Sequence, residues 1–288
     1  MKVIVIGGSG MLGSDVVAEL RSRSAEVVAP GSSEIDITDP ESMAKVAMMR
    51  EFNWCVNCAA YTSVDLAESE VQRATELNAL GPGYLARACA VAGIKLLHVS
   101  TDFVFDGEAS TPYTEDSAPN PLGVYGRTKL EGEHAVLAGL PTSLILRTSW
   151  LFGANGKSFP RTIIGAWQAG KDLRVVSDQV GCPTYTADLA RCIADAIEKD
   201  IFPGVYHASG PDPMSWHAFA TLAVKAYCDV HGIESEASIR PIATEDWPTP
   251  AVRPKYSVLS NAKLKEAGIQ PMRPIREALT EFVGRLKD

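Results

Sequence analysis

What the sequence lacks narrows it first. No apolar run approaches the roughly 20 residues of a membrane span, so no transmembrane anchor is expected. There is no basic excess either: 27 Lys and Arg stand against 35 Asp and Glu, a formal net charge of −8. That balance excludes a general nucleic-acid or acidic-membrane surface, so an anionic substrate must be held by local arginines, lysines and backbone amides. Of the six cysteines, at 55, 58, 89, 182, 192 and 228, only Cys55 and Cys58 form a C-x-x-C, and no second pair accompanies them. In an extended Trp54-Cys55-Val56-Asn57-Cys58 segment those two thiols point to opposite faces, which reads as buried reduced cysteine rather than metal or redox chemistry. None of the five histidines pairs at ligand spacing, His98 lies in an apolar strand, and no metal site is expected. Internal repeats and low-complexity tracts are also missing. An apolar strand opening at residue 3 leaves no room for a signal peptide, and the expected compartment is the cytoplasm.

What is present is the punctuation of an α/β protein. The 288 residues, 46% of them hydrophobic, suit one large domain or a domain with a smaller companion. Val3-Ile4-Val5-Ile6 reads as a buried strand, Gly7, Gly10 and Gly13 as a tight turn, and Ser14 to Arg21 as an amphipathic helix. Glycines there let backbone N–H groups approach a pyrophosphate at a helix N-terminus, whose dipole favours the anion. Strand and helix patterns then alternate: strand Glu26 to Ala29, helix Pro40 to Arg50, strand Trp54 to Asn57, helix Glu68 to Val91, strand Lys95 to Ser100, helix Val124 to Leu137 and strand Ser143 to Arg147. This predicts a Rossmann-type, doubly wound parallel sheet. Residues 1–150 form the expected dinucleotide-binding domain. Residues 151–288, richer in Pro and Gly loops, form a smaller C-terminal substrate-binding lobe from which Val205 to Ala208 can return to the sheet.

Chemistry enters with Tyr125-Gly126-Arg127-Thr128-Lys129 and, upstream, Ser100-Thr101-Asp102. A Tyr and a Lys four apart share one helix face, where an ammonium is expected to lower the phenol's pKa from about 10 and make it an acid near neutrality. The alternating pattern puts Ser100 at the end of a strand and Tyr125 at the start of the following helix, both at the carboxyl edge of the sheet where such folds bind ligands.

Several blocks together carry a resemblance. The G-x-x-G-x-x-G of Gly7 to Gly13, Asn57-Cys58-Ala59-Ala60-Tyr61-Thr62, Ser100-Thr101-Asp102-Phe103-Val104-Phe105-Asp106-Gly107 and Tyr125 to Lys129 look like the extended short-chain dehydrogenase/reductases. Through Arg147 to Gly153, Asp178 to Thr184 and Pro248 to Pro254 the chain resembles, more narrowly, the dTDP-4-dehydrorhamnose reductase family over nearly its whole length. The resemblance implies NADPH-dependent reduction, with NADH open, of the 4-keto group of a dTDP-6-deoxy sugar to dTDP-L-rhamnose. It implies Tyr125 as proton donor, Lys129 on the nicotinamide ribose hydroxyls, and Thr101 hydrogen-bonded to the substrate oxygen. It further implies Gly10, Met11 and Leu12 at the pyrophosphate, Asp36 and Ile37 at the adenine, Ala59, Ala60 and Tyr61 at the cofactor's ribose side, and Thr101, Asp102 and Trp150 facing the sugar nucleotide. A nucleotide sugar is the expected small-molecule partner, and a homodimer stays open.

Local alternatives stand beside these roles. Asp36-Ile37-Thr38-Asp39-Pro40 also reads as a helix cap with Thr38 or Asp39 at N-cap. Trp150 also reads as core filler, and Arg253 and Lys157 as solvated surface rather than diphosphate ligands. Sugar-nucleotide dehydratases resemble this site but carry Thr-Asp-Glu; here Phe103 replaces the carboxylate, and a phenyl ring cannot remove a proton. The reductases usually have tyrosine at 103, and Ile275 replaces a common tryptophan. Epimerases share the Tyr and Lys. The regulatory subunit of methionine adenosyltransferase resembles the same motifs without catalysing, a reading that intact Thr101, Tyr125 and Lys129 oppose. Ala29-Pro30-Gly31-Ser32-Ser33 offers neither an acid for an NAD ribose nor an arginine for an NADP phosphate, though its serines tolerate one.

Overall fold

A computed structural model describes residues 1–234 and 238–286. Its centre is a parallel sheet of β1 (Lys2–Ile6), β2 (Glu26–Val28), β3 (Trp54–Asn57), β4 (Lys95–Thr101), β5 (Leu144–Thr148) and β6 (Gly204–His207), in spatial order β2-β1-β3-β4-β5-β6. The order reverses between β1 and β3, so a crevice opens at their carboxyl ends. We number only helices of ten residues or more: α1 (Met11–Ser22), α2 (Gly81–Ala92), α3 (Val124–Gly139), α4 (Phe159–Gln168), α5 (Thr186–Glu198), α6 (Trp216–His231) and α7 (Ile275–Gly284).

Alternation along β1 explains the layering. Val3 and Val5 pack into one core with Leu12, Val16 and Leu20 of α1 and Leu189, Ile193 and Ile197 of α5. Ile4 and Ile6 face the opposite core, with Leu85 and Cys89 of α2 and Val136 of α3. A strand apolar on both faces is buried on both, as a parallel sheet requires. β6 joins the edge beside β5, so residues beyond 150 do return to the sheet. A separate aromatic core of Phe152, Tyr185, Phe219 and Phe282 gathers α6 and α7, and Ile275 packs into it. Among the described residues no helix is long and apolar enough to cross a membrane.

Two expected helices come out differently. Only Met43–Ala47 is helical in the stretch from 40 to 50. The helix expected from Glu68 to Val91 is instead Val64–Ala67, followed by a continuous helical run from Val71 to Ala92 whose middle, Glu76–Leu80, widens into a π turn. A π turn admits one extra residue and pushes its backbone outward. Here the bulge meets α3 at Gly132, where a Cβ would overlap the Asn78 carbonyl oxygen. Apolar periodicity cannot show this, because the contact joins residues more than 50 apart. Gly132→Ala should therefore lower stability by about 2 kcal/mol, the cost of overpacking a tight contact, measured as a lower urea midpoint at unchanged m-value.

Candidate active site

The crevice at the sheet reversal is built from backbone. Gly7 takes a positive φ of 74°, and Gly10 N–H closes the turn on the Gly7 carbonyl at 3.0 Å. A Cβ at Gly13 would overlap that same carbonyl, so the helix is allowed to start under the turn only because residue 13 has no side chain. α1 begins with Gly10 as N-cap, without a side-chain cap and without an acidic residue in its first turn. Its first N–H groups are left for an anion, and the cradle fits a dinucleotide pyrophosphate. Leu12 itself is buried in the core, so it offers its backbone alone. Across the crevice a Cβ at Gly7 would come within 2.8 Å of Ala59 N, which brings the loop Cys58 to Tyr61 against the glycine turn.

That loop is fixed from below. The Asn78 side chain, in the π turn, accepts the Tyr61 N–H at 2.8 Å and donates to the Tyr61 carbonyl at 3.1 Å and to Thr128 Oγ1 at 3.2 Å. The Tyr61 side chain packs with Ala67, Ala74 and Val124, below the main chain that Asn78 holds. Ile37 is likewise core, pressed on Gly81. Asp36 is exposed and accepts the Thr38 N–H and hydroxyl at 2.9 and 2.8 Å, while Asp39 receives the Glu41 and Ser42 N–H groups. The helix that follows starts at Met43 with Ser42 at its N-cap and no side-chain cap, so neither Thr38 nor Asp39 is the N-cap expected there. Past β2, Ser32 and Ser33 are exposed and the Gly31 N–H donates to Glu34 Oε2 at 2.9 Å.

The proton-delivery residues meet at the carboxyl ends of β4 and β5. α3 starts beside them because Glu68 Oε1 accepts the Val124 N–H at 2.8 Å. Tyr125, in the first turn, has the Phe103 ring edge-on at 5.4 Å between centroids and the Thr101 hydroxyl nearby. Thr101 Oγ1 also accepts the Phe103 N–H at 3.2 Å and donates to Asp102 Oδ1 at 3.1 Å. Burial, with the charge of Asp102 adding to it, pushes the Tyr125 phenol up to about 12 against the opposing effect of the Thr101 hydroxyl. The expected lowering by Lys129 is not what the structure shows. Lys129 is buried, and its Nζ is turned away to the Val99 carbonyl at 2.7 Å and His98 Nε2 at 3.3 Å. Burial itself brings Lys129 down to about 8.

Asp102 is 1% exposed and its Oδ2 has no hydrogen-bond partner. Burial pushes its carboxyl up to about 6. Trp150 is half-buried, with a φ of 47°; it stacks on Trp216 at 3.5 Å and leaves no room for a Cβ at Gly181. A non-glycine residue in the left-handed region is strained, and such strain gathers at functional sites. Arg253, a quarter exposed, is paired: it forms a forked contact with Asp65 at 3.0 and 2.8 Å and ties the segment 249–253 to the helix after Tyr61. Cys55 and Cys58 are free, and among the described residues no three His, Cys, Asp or Glu side chains gather as a metal site. Asn78, Glu68, Trp216 and the Asn57–His98 pair carry no signal in local spacing, since each acts on a partner 17 or more residues away.

Because the folded Asp102 binds its proton more tightly than an unfolded one, the folded state holds more protons between 3.8 and about 6. Stability must fall as pH rises through that window. Relative to Asp102→Asn, the wild type should lose up to about 1.4 kcal/mol per pH unit there, read from urea unfolding at several pH values. A constant difference between the two proteins would show that the carboxyl is hydrated instead.

With this geometry in view the comparisons with known proteins agree. The family model described as the RmlD substrate binding domain matches residues 1–287. A dTDP-4-dehydrorhamnose reductase of Streptomyces griseus is 42% identical over 283 residues, covering 96% of this chain and 91% of that protein. Among solved structures, a dTDP-4-dehydrorhamnose reductase of Clostridium acetobutylicum superposes with a TM-score of 0.92 at 38% identity, covering 99% of each chain. One from Bacillus anthracis, in complex with NADP, has a TM-score of 0.91 at 34% identity over 98% of each chain. The chain belongs to the RmlD substrate-binding-domain family, that of the dTDP-4-dehydrorhamnose reductases.

Proposed function

We propose that this chain is a cytoplasmic, NADPH-dependent sugar-nucleotide reductase that converts the 4-keto group of dTDP-4-dehydro-6-deoxy-L-mannose to the alcohol of dTDP-L-rhamnose. The observation that carries it is the Tyr125 phenol beside Thr101 at the carboxyl edge of a sheet whose glycine turn leaves room for a close backbone approach. NADPH, when bound, supplies the hydride that adds to C4. Gly7, Gly10 and Gly13 shape the turn around its pyrophosphate, and Met11, Leu12 and Gly13 offer it the first free N–H groups of α1. Asp36 and Ile37 flank the adenine, and Ala59, Ala60 and Tyr61 offer main chain to the ribose side.

Tyr125 gives its proton to the C4 oxygen and is left as phenolate, which regains a proton from solvent before the next turnover. A phenol held at about 12 stays protonated until that moment, which is the state an acid must be in. Thr101 shares the developing negative charge on the oxygen. Asp102 and Trp150 face the sugar nucleotide. Phe103 closes the elimination route open to an enzyme with a glutamate there, because it has no base to take a proton from carbon.

Following NADPH absorbance with the enzymatically prepared dTDP-4-keto sugar tests the whole reading. The wild type should oxidise NADPH, and Tyr125→Phe should lower kcat by about 10²- to 10⁴-fold, the usual share of a general acid, with cofactor binding unchanged. A wild type that binds NADPH without oxidising it would favour a non-catalytic dinucleotide-binding subunit. Equal turnover by wild type and Tyr125→Phe would assign the proton to another group.

A further inference from the structure

Behind Lys129 lies a buried polar chain in which each hydrogen has one place to go. Asn57, at the end of β3 and 1% exposed, accepts the Ala59 N–H through Oδ1 at 3.1 Å. A backbone N–H can only donate, so the orientation of the amide is settled and Nδ2 is the atom that meets His98 Nδ1, 3.0 Å away. Nδ2 also can only donate, and Nδ1 must therefore present its lone pair. Burial holds the His98 pKa well below its ordinary value, so the ring is neutral and carries its single proton on Nε2. That Nε2–H faces Lys129 Nζ at 3.3 Å, while Nζ donates to the Val99 carbonyl at 2.7 Å. An ammonium has three donors and no lone pair, and would meet the Nε2–H donor to donor. An amine satisfies both contacts, accepting from His98 and donating to Val99.

We propose that Asn57 and His98 are positioning residues for Lys129: Asn57 fixes the Nε2–H tautomer of His98, and that N–H favours the neutral amine over the ammonium, so that Lys129 exchanges a proton instead of standing as a fixed cation. The inference rests on the Tyr125–Lys129 reading above. The other groups around Lys129 leave this balance in place. On α3 itself, Glu133 attracts an ammonium, but its two oxygens are occupied by Arg147 of β5, at 2.9 and 2.7 Å, and by the Ser100 hydroxyl. From the end of β3, Cys58 is pushed up to about 12 by burial and stays a neutral thiol. Tyr125 is a neutral phenol, and Asp102 beyond β4 acts on that phenol. Burial of Lys129 works in the same direction as the His98 N–H. An amine that can accept as well as donate suits a site where paired hydroxyls are to be bound, and it leaves the Tyr125 proton in place until needed.

The test uses the full chain without cofactor and needs no turnover, so it stands or falls separately from the reductase assay. In ¹⁵N-histidine-labelled protein the His98 signals, identified by their loss in His98→Gln, should show a bare Nδ1 and a protonated Nε2 from pH 7 to 9. The Nδ1–H tautomer would overturn the proposal. In ¹³C-lysine-labelled protein the Lys129 Cε signal, identified by its loss in Lys129→Met, should titrate well below an ordinary lysine, at about 8, and in His98→Leu it should titrate at least one pH unit higher. An unchanged or lower midpoint in His98→Leu would show that His98 only fills space. Should that variant not fold, the tautomer measurement on the wild type still decides.

Discussion

Inside the sheet edge, Arg147 of β5 reaches Glu133 of α3 through two parallel N–H···O contacts, at 2.9 and 2.7 Å, and Ser100 of β4 bonds the same carboxylate. Both charged side chains are almost wholly out of water, 5% and 2% exposed. Two charges this deep hold together through close two-point geometry, even though Arg147 Nη1 is buried without a hydrogen-bond partner, and loss of one member of such a pair typically costs about 3–5 kcal/mol. The pair therefore admits one seating of α3 on β4 and β5. Lys129 lies one turn before Glu133 and Tyr125 two turns before it, so the seating also sets where the phenol stands relative to Thr101 at the end of β4. Phe105, whose ring lies 5.2 Å from the guanidinium, closes the pair off from the side.

The same dryness governs the chemistry. Burial shifts each group toward its neutral form: Tyr125 goes up to about 12 and Asp102 to about 6, while Lys129 comes down to about 8. A ketone reductase needs a proton donor and a place for negative charge to develop. Tyr125 supplies that proton, and Thr101, whose hydroxyl donates to Asp102 Oδ1 in the free chain, stands beside it. The simple picture of a Tyr–Lys pair, in which a nearby ammonium depresses the phenol, describes a geometry that the chain alone does not adopt, because the lysine is engaged by Val99 and faces His98.

Much of this was legible in the residues. The strand, glycine turn and helix from Val3 to Arg21 could be read because their contacts are local and glycine is the one residue that tolerates both the positive φ at Gly7 and the close approach at Gly13. Tyr125, Lys129 and Thr101 could be read because a helix start and a strand end place them at one edge of any parallel sheet. Asn78 could not. Its importance comes from a π turn that periodicity renders as ordinary helix, and from partners at Tyr61 and Thr128 that only packing brings near. Trp216 was silent for the same reason, since nothing around it in the chain announces a ring 3.5 Å from Trp150.

The division between the two sources of information is physical. Local dihedral preference, the period of apolar residues and the chemistry of single side chains are written residue by residue, and they determined the fold class, the dinucleotide turn and the identity of the proposed acid. Protonation and orientation depend on what surrounds a group in three dimensions. Whether Lys129 is a cation or an amine, whether Asp102 holds its proton, and whether Arg253 meets solvent or Asp65 were decided by burial and by partners up to 188 residues away in the chain. The low dielectric that fixes them exists only after the chain has folded around them.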